Sequence, residues 1–276
     1  MLKVRDRGWR LAALGGNTIA LEWADREAGV WVHRLAGNHP EGAPCRAKAV
    51  YRFHSDRVEG GMTVFSGEQC LYRGPDAVAA IQTVMESMMD VWSRSCLDGP
   101  MLHAGLVSKQ ERGMLLCGTS GAGKSSLAAW FSTQGWSYRG DEQSYAGIDW
   151  EGFVRPLCFK ENWGALFPEV AKSSDWVAQG RGQTLVAPSA FGCQASAERA
   201  VRPGVFLFPE YRSGAAFACE RLPAGQVTMQ LVQATLNGGN LESRGVRRTA
   251  EMARAYPGYA VRYGSFAQLT PLLELL

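Results

Sequence analysis

The sequence predicts an α/β protein with a β-rich segment at its N-terminus. Before residue 76, short apolar runs are separated by turn residues, a pattern typical of strands joined by tight turns. From residue 97 onward, strand-like apolar runs alternate with segments of helical period, which is typical of an α/β core. A glycine-rich turn at 118–123 joins one of these strands directly to a helix. These three observations place the core in the larger, C-terminal part.

The N-terminal segment begins with a hairpin pattern. The apolar runs Trp9–Leu14 and Thr18–Trp23 flank Gly15-Gly16-Asn17, whose residues suit a tight turn between antiparallel strands. Val30–Leu35 and Ala49–His54 continue the β-rich pattern and are predicted to be further strands.

A helix follows this segment. Asp76 can cap its first turn, and apolar residues then recur at helical spacing up to Trp92. We therefore divide the chain into a β-rich segment (1–75), a connecting helix (76–96) and an α/β domain (97–276).

Within the α/β domain, residues 172–200 are rich in Ser, Gly, Gln and Ala and show no convincing period. We interpret this stretch as a mobile loop that could serve as a lid. The elements expected elsewhere are strands at 101–107, 113–117, 137–138, 205–208 and 259–263, and helices at 125–134, 225–236, 242–255 and the C-terminus.

Composition excludes several classes of protein. The 276 residues carry a net charge of only +3 and no run of basic residues, which argues against nucleic acid as the partner. The seven cysteines are scattered without a Cys-x-x-Cys pair, which argues against a zinc site or a disulfide framework. No signal peptide and no apolar run long enough to cross a membrane is visible. The sequence thus predicts a soluble, cytoplasmic protein without a membrane partner.

One motif dominates the chain. Gly118-Thr119-Ser120-Gly121-Ala122-Gly123-Lys124-Ser125 matches the G-x-x-x-x-G-K-[ST] pattern of a P-loop, between an apolar strand and an amphipathic helix. Glycines let the backbone N–H groups converge on phosphate oxygens, and the helix N-terminus adds partial positive charge. Lys124 can then neutralise the β- and γ-phosphates, and the Ser125 hydroxyl can ligate magnesium. The motif predicts binding of a nucleotide and Mg²⁺ by residues 118–125 together with Ser126.

A pair of carboxylates follows the next predicted strand. In an α/β unit, the end of that strand lies beside the P-loop, so Asp141 and Glu142 would face the γ-phosphate. One can accept a proton from an incoming hydroxyl and the other can hold magnesium. The spacing alone leaves open which carboxylate has which role, and a solvated acidic turn is the alternative.

The stretch from His103 to Glu142 resembles the catalytic domain of the HPr kinase/phosphorylase family and its HPr-kinase-like relatives. The shared pieces, in order, are a His-Ala-Gly strand, a second strand, the P-loop, a helix, a glycine-containing turn and an acidic pair. The resemblance implies a P-loop core of the HPr kinase C-terminal-domain type. It implies transfer of the γ-phosphate of ATP to a hydroxyl, typically a serine of a protein.

The resemblance also assigns roles by position. Asp141 would be the general base, Glu142 a magnesium-side or relay carboxylate, and His103 would lie near the transferred phosphoryl group. Arg155–Glu161 and Phe208–Arg212 resemble two further segments of these relatives, which makes Lys160 and Arg212 candidate phosphate or substrate contacts. Either cation could equally be a surface residue. The family further implies a homo-oligomer.

The chain departs from HPr kinase/phosphorylase itself, because residues 161–200 lack the Glu-x-Arg-Gly signature that is linked to dephosphorylation and to the HPr partner. We therefore expect an HPr-kinase-like kinase whose acceptor is a protein, peptide or small-molecule hydroxyl, with residues 1–75 as a hypothetical acceptor-recognition module. The alternatives are a nucleotide-dependent switch without transfer chemistry and, last, a carboxykinase-like enzyme, for which no metal-binding cluster is seen.

Overall fold

A computed structural model describes residues 4–42, 44–56, 61–160, 163–172, 176–180, 182–193 and 200–275. Within these ranges the structure has seventeen strands, which form several sheets, and eight α-helices. The protein is therefore a mixed α/β fold, as predicted. None of the helices described is long and apolar enough to cross a membrane.

The secondary structure follows the chain in this order. The strands are β1 (Gly8–Leu14), β2 (Asn17–Trp23), β3 (Val50–Asp56), β4 (Gly61–Ser66), β5 (Gln69–Gly74), β6 (Met101–Leu102), β7 (Ala104–Lys109), β8 (Arg112–Cys117), β9 (Ser137–Gly140), β10 (Ser144–Ala146), β11 (Trp150–Gly152), β12 (Leu157–Lys160), β13 (Trp176–Gly180), β14 (Gln183–Val186), β15 (Ala200–Tyr211), β16 (Ala218–Leu222) and β17 (Gly258–Tyr263). The α-helices are α1 (Arg26–Ala36), α2 (Ala77–Ser95), α3 (Lys124–Thr133), α4 (Trp163–Leu166), α5 (Pro168–Ala171), α6 (Ala224–Ala234), α7 (Val246–Ala255) and α8 (Thr270–Leu275).

The chain forms two compact units, and neither is continuous in sequence. Unit 1 comprises residues 1–95 and 153–191, and unit 2 comprises residues 96–152 and 192–276. This grouping differs from the division expected from sequence, because the helix 77–95 and the segment 153–191 both join the N-terminal residues.

Unit 1 contains a five-stranded sheet in the order β1-β2-β3-β4-β5. The predicted hairpin is confirmed: β1 and β2 are antiparallel, Leu14 pairs with Asn17, and both glycines between them have positive φ. The strand predicted at Val30–Leu35 is wrong, because these residues lie in α1. The Asp25 carboxylate caps this helix by accepting a hydrogen bond from Ala28 N at 2.9 Å.

The sequence pattern of α1 explains the error. The run Val30-Trp31-Val32 has high β propensity, but Ala28, Val32 and Leu35 are buried at a spacing of four and three residues. Burial of that helical stripe therefore outweighs local propensity.

Helix α2 packs against strands of two sheets in unit 1. It contacts β4 and β5 on the five-stranded sheet and β13 of a second sheet, which has the order β12-β14-β13. The predicted cap is confirmed, since Asp76 Oδ1 accepts a hydrogen bond from Ala79 N at 3.0 Å. The stretch 172–200, interpreted from sequence as a mobile loop, has regular structure in the residues described there, which include β13, β14 and a 3₁₀ turn at Pro188–Phe191. Residues 173–175, 181 and 194–199 of that stretch lie outside the described residues.

Unit 2 is built on a nine-stranded sheet. Seven strands follow the order β6-β10-β11-β15-β8-β7-β9, and β17 pairs with both β15 and β16. Strands β8, β15 and β17 are mutually parallel, whereas β7 is antiparallel to both β8 and β9. Strand β9 therefore runs in the same direction as β8, with β7 between them. As a result, β8, β9, β15 and β17 all end at the edge of the sheet where β7 begins.

The side chain of Asn237 forms hydrogen bonds with the backbone of the segment that leads into β6 and β7. This side chain is buried, with Oδ1 accepting from Met101 N at 2.8 Å and Nδ2 donating to Cys96 O and Gly99 O at 2.9 and 3.0 Å. Nearby, His103 N donates to Ala234 O at 2.8 Å. One amide side chain thus satisfies three backbone groups of the segment that precedes His103.

We expect Asn237→Ala to lower the free energy of unfolding by about 2–4 kcal/mol, because it leaves three buried backbone groups without a partner. Urea unfolding followed by circular dichroism measures this change. The matched control is Gln230→Ala at an exposed position of α6, which should shift stability by less than about 0.5 kcal/mol. Equal stability of the two variants would contradict the stabilising role proposed for the Asn237 side chain.

Candidate functional site

The glycine-rich loop, residues 118–123, lies between the end of β8 and the first residue of α3. The strand–loop–helix context expected for the motif is therefore present. Gly123 is the N-cap of α3 and has a φ of 94°, a conformation that L side chains rarely adopt. A Cβ added at Gly123 would also lie 2.8 Å from the Tyr263 hydroxyl oxygen, so both backbone and space favour glycine here.

The Lys124 side chain forms hydrogen bonds with the backbone at the start of the glycine-rich loop. This side chain is buried, and its amine donates hydrogen bonds to Gly118 O at 2.8 Å and Thr119 O at 3.2 Å. The lysine amine is therefore held against the backbone of the glycine-rich loop. Burial raises the pKa of the preceding Cys117 thiol to about 12, although the charge of Lys124 acts in the opposite direction.

The outer part of the loop faces solvent. Thr119, Ser120 and Gly121 are exposed, whereas Ala122 and the helix residues Ser125 and Ser126 are partly buried. Solvent therefore reaches the middle of the loop, at residues 119–121.

The ends of β15 and β17 lie next to this loop. Tyr211 N donates to Ala122 O at 3.3 Å, and the rings of Tyr211 and Tyr263 are 5.6 Å apart. The Tyr263 side chain is buried, and its hydroxyl has no hydrogen-bond partner among the described residues. Burial raises the pKa of Tyr263, and the neighbouring Tyr211 adds to this effect. A neutral, unsatisfied hydroxyl thus faces the loop at Gly123.

Asp141 lies directly after β9 and is fully buried. On the adjacent strand β7, a Cβ added at Gly105 would lie 3.3 Å from Asp141 Oδ1. Gly105 itself pairs with Leu116 on β8, two residues before the glycine-rich loop. Only strand β7 therefore lies between the Asp141 carboxylate and the last residues of β8, and β7 has a glycine at this position.

His103 and Glu142 meet at the same edge. His103 Nδ1 lies 3.3 Å from Glu142 Oε2, and both side chains are about one third exposed. Glu142 has a φ of 69°, which is unusual for a residue other than glycine, asparagine or aspartate. Such strained backbone is frequent at functional sites, where surrounding structure maintains it.

The two predicted cations lie in different units. Arg212 follows β15 in unit 2, is exposed, and donates from Nη2 to Glu210 Oε1 at 2.8 Å. Lys160 is exposed at the end of β12 in unit 1. All predicted site residues other than Lys160 therefore belong to unit 2.

The carboxylates and hydroxyls available for magnesium belong to the same unit. Ser125 begins the first turn of α3 after Lys124, and Asp141 and Glu142 follow β9. Among the residues that the structure describes, no group of three or more His, Cys, Asp or Glu side chains could hold a metal ion. Magnesium in nucleotide sites is typically held by one or two protein ligands together with phosphates and water, so this donor set fits the ion.

Three residues of this region were not identified from sequence. Gly105 lies inside the His103–Val107 strand, but the sequence does not distinguish it from the other strand residues. Its role depends on its closeness to Asp141, which follows the neighbouring strand β9. Tyr263 could have been found by asking which residues end the parallel strands. Asn237 precedes two glycines and resembles an ordinary turn residue.

Comparison with known proteins assigns no family. No protein-family model matches the chain, and no curated protein matches it significantly. Function therefore has to be inferred from the residues and their geometry.

We expect Tyr263→Phe to leave stability unchanged or to raise it by about 1 kcal/mol, because it removes a buried hydroxyl that has no partner. Thermal and urea unfolding measure the change. The control is the same substitution at Tyr51, which is also fully buried but donates to Ser87 Oγ at 2.9 Å. Tyr51→Phe should lose about 1 kcal/mol. A loss of stability in Tyr263→Phe as large as in Tyr51→Phe would show that the hydroxyl has a partner.

Proposed function

We propose that this protein is an ATP-dependent kinase with an HPr-kinase-like P-loop core. In this proposal it transfers the γ-phosphate of ATP to a hydroxyl, and the resemblance favours a serine of a protein or peptide as the acceptor. The observation that carries the proposal is the buried Asp141 carboxylate at the edge of the sheet where the glycine-rich loop begins. A nucleotide-binding loop alone accounts for binding, whereas a carboxylate beside it accounts for transfer.

Phosphate binding would use groups that lie together at the glycine-rich loop and the start of α3. The backbone N–H groups of the loop, the N-terminus of α3 and the Lys124 amine all carry positive character. In the structure, the amine donates to the carbonyls of Gly118 and Thr119. Phosphate oxygens would take over these hydrogen bonds, so the lysine needs little movement to reach its ligand.

Magnesium would be held by the Ser125 hydroxyl and Glu142, and when bound it supplies positive charge to the β- and γ-phosphates. The contact between His103 and Glu142 would keep the Glu142 carboxylate oriented at this edge. His103 would thereby also lie close to the phosphoryl group, as the resemblance implies.

Asp141 would position the acceptor and take its proton. A carboxylate within hydrogen-bond distance of the hydroxyl aligns the oxygen for in-line attack and removes the proton as the bond to phosphorus forms. Because Gly105 has no side chain, β7 can pack closely against the carboxylate without crowding it. The surrounding burial would keep competing water away from the base.

We expect Asp141→Asn to reduce phosphoryl transfer about 10²–10⁴-fold while ATP affinity is retained. The assay uses γ-phosphate-labelled Mg-ATP and a cell lysate separated into protein, peptide and small-molecule fractions. The control is Asp149→Asn, the same change at an exposed carboxylate between β10 and β11. Label that appears in one fraction with wild type and with Asp149→Asn, but not with Asp141→Asn, identifies the acceptor class. Binding of ATP without label in any fraction would favour a nucleotide switch instead.

A second expectation concerns Gly105→Ala. The added Cβ would lie 3.3 Å from Asp141 Oδ1, closer than an ordinary contact, so the carboxylate has to shift. A displacement of about 1 Å at a catalytic group can cost 10²-fold, and the shift needed here is a few tenths of an ångström. We therefore expect a roughly 3–10-fold loss of transfer with unchanged ATP affinity. Gly225→Ala is the control, because its Cβ would meet no atom within 4 Å. Full activity of Gly105→Ala would argue against Asp141 as the base.

A further inference from the structure

A second candidate site lies in unit 2, at the opposite edge of the nine-stranded sheet. A cavity of about 450 Å³ opens where β8, β15 and β17 begin, and its lining includes Lys109, Arg112, Trp136, Val205, Tyr259 and Leu275. This volume is in the range of pockets that bind small organic molecules.

Two cations are held side by side at this cavity. Lys109 and Arg112 are directly paired across the hairpin that joins β7 to β8. The two residues between them, Gln110 and Glu111, have positive φ values of 48° and 64°, which gives a tight two-residue turn. A third cation, Arg202 on β15, is the register neighbour of Arg112. Like charges placed directly opposite each other destabilise a sheet unless something compensates them.

Nothing in the described part of the chain neutralises these cations. Lys109, Arg112 and Arg202 are exposed, and the ion pairs found among the described residues involve none of them. Glu111 lies in the turn itself but makes no ion pair with its neighbours. The cluster therefore retains its positive charge for a ligand.

The walls beside the cations are aromatic and apolar. Trp136 is 5% exposed, and Lys109 Nζ lies 5.7 Å from the centre of a Trp136 ring, within the range of a cation–π contact. Trp136 therefore exposes only a narrow strip of its ring, and Tyr259, Val205 and Leu275 form the accessible apolar wall. An apolar wall next to an anion-binding rim matches a molecule with a ring at one end and a negative group at the other.

We propose that this cavity binds an aromatic organic anion, with its carboxylate or phosphate on Lys109 and Arg112 and its ring against Tyr259, Val205 and Leu275, beside the exposed strip of Trp136. The site is separate from the glycine-rich loop, since Arg112 and Gly118 are six residues apart along β8 and its extension, roughly 20 Å. The proposal does not depend on the kinase function, because it uses other residues and needs no nucleotide.

The test is ¹⁹F NMR of the full chain labelled with 5-fluorotryptophan, with the Trp136 resonance assigned by Trp136→Phe. The probes, added without nucleotide, are 2-naphthoate, 2-naphthyl phosphate, neutral 2-naphthalenemethanol and inorganic phosphate. We expect both naphthyl anions to shift the Trp136 resonance saturably at about 1 mM. The alcohol and inorganic phosphate should bind about tenfold more weakly or not at all, and the stronger naphthyl anion identifies the preferred acidic group.

Three variants locate the binding. Lys109→Gln and Arg112→Gln should each weaken 2-naphthoate binding about tenfold. Arg247→Gln removes the same charge from an exposed ion pair on α7 and should have no effect. Lys124→Met should likewise leave the naphthoate titration unchanged, which separates this site from the glycine-rich loop. The proposal is overturned if neither naphthyl anion gives a saturable shift, if the alcohol or inorganic phosphate binds equally well, or if the cation variants match wild type.

Discussion

Strand β8 is hydrogen-bonded on both edges, to β7 and to β15, and its residues from Gly113 to Cys117 are buried. A strand in this position cannot slip by one residue, because every side chain would then exchange faces in a packed interior. Its end is therefore fixed, and with it the point where the glycine-rich loop leaves the sheet. The direction of β7 and β9 relative to β8 then decides where His103, Asp141 and Glu142 lie.

The candidate site is assembled mainly by backbone geometry. The Asp141 carboxylate packs against β7 at Gly105, where a side chain would crowd it, and the chain before His103 is held by hydrogen bonds from the Asn237 amide. Such support from neighbouring strands and buried amides keeps reactive groups in place more firmly than a flexible loop could. The buried hydroxyl of Tyr263, at the same edge, has no hydrogen-bond partner among the described residues.

Much of the fold could be predicted wherever local signals agreed with burial. The hairpin at Gly15-Gly16, the Asp76 cap and the strand–loop–helix context of residues 112–133 follow from turn chemistry, capping and apolar runs. Helix α1 could not be recognised, since its β-branched run conflicts with a helical stripe that matters only once the sheet covers it. The strands at 176–180 and 183–186 were missed because the pairing of β14 with β12 and the packing of both strands on α2 are long-range contacts that carry no local period. For the same reason, sequence placed Asp141 near the loop but could not identify Gly105 or Asn237 as its structural support.

The interleaving of the two units along the chain has a consequence for synthesis on the ribosome. Domains usually fold in order as they emerge, the N-terminal one first. Here the first 95 residues have to wait for residues 153–191 before unit 1 has its second sheet, and unit 2 has by then contributed only its first six strands. A nascent chain halted near residue 152 would hold two incomplete cores, with α2 exposing the surface that later contacts β13 and β14. Chaperone demand during translation should accordingly peak over this interval and fall once residue 191 has left the exit tunnel.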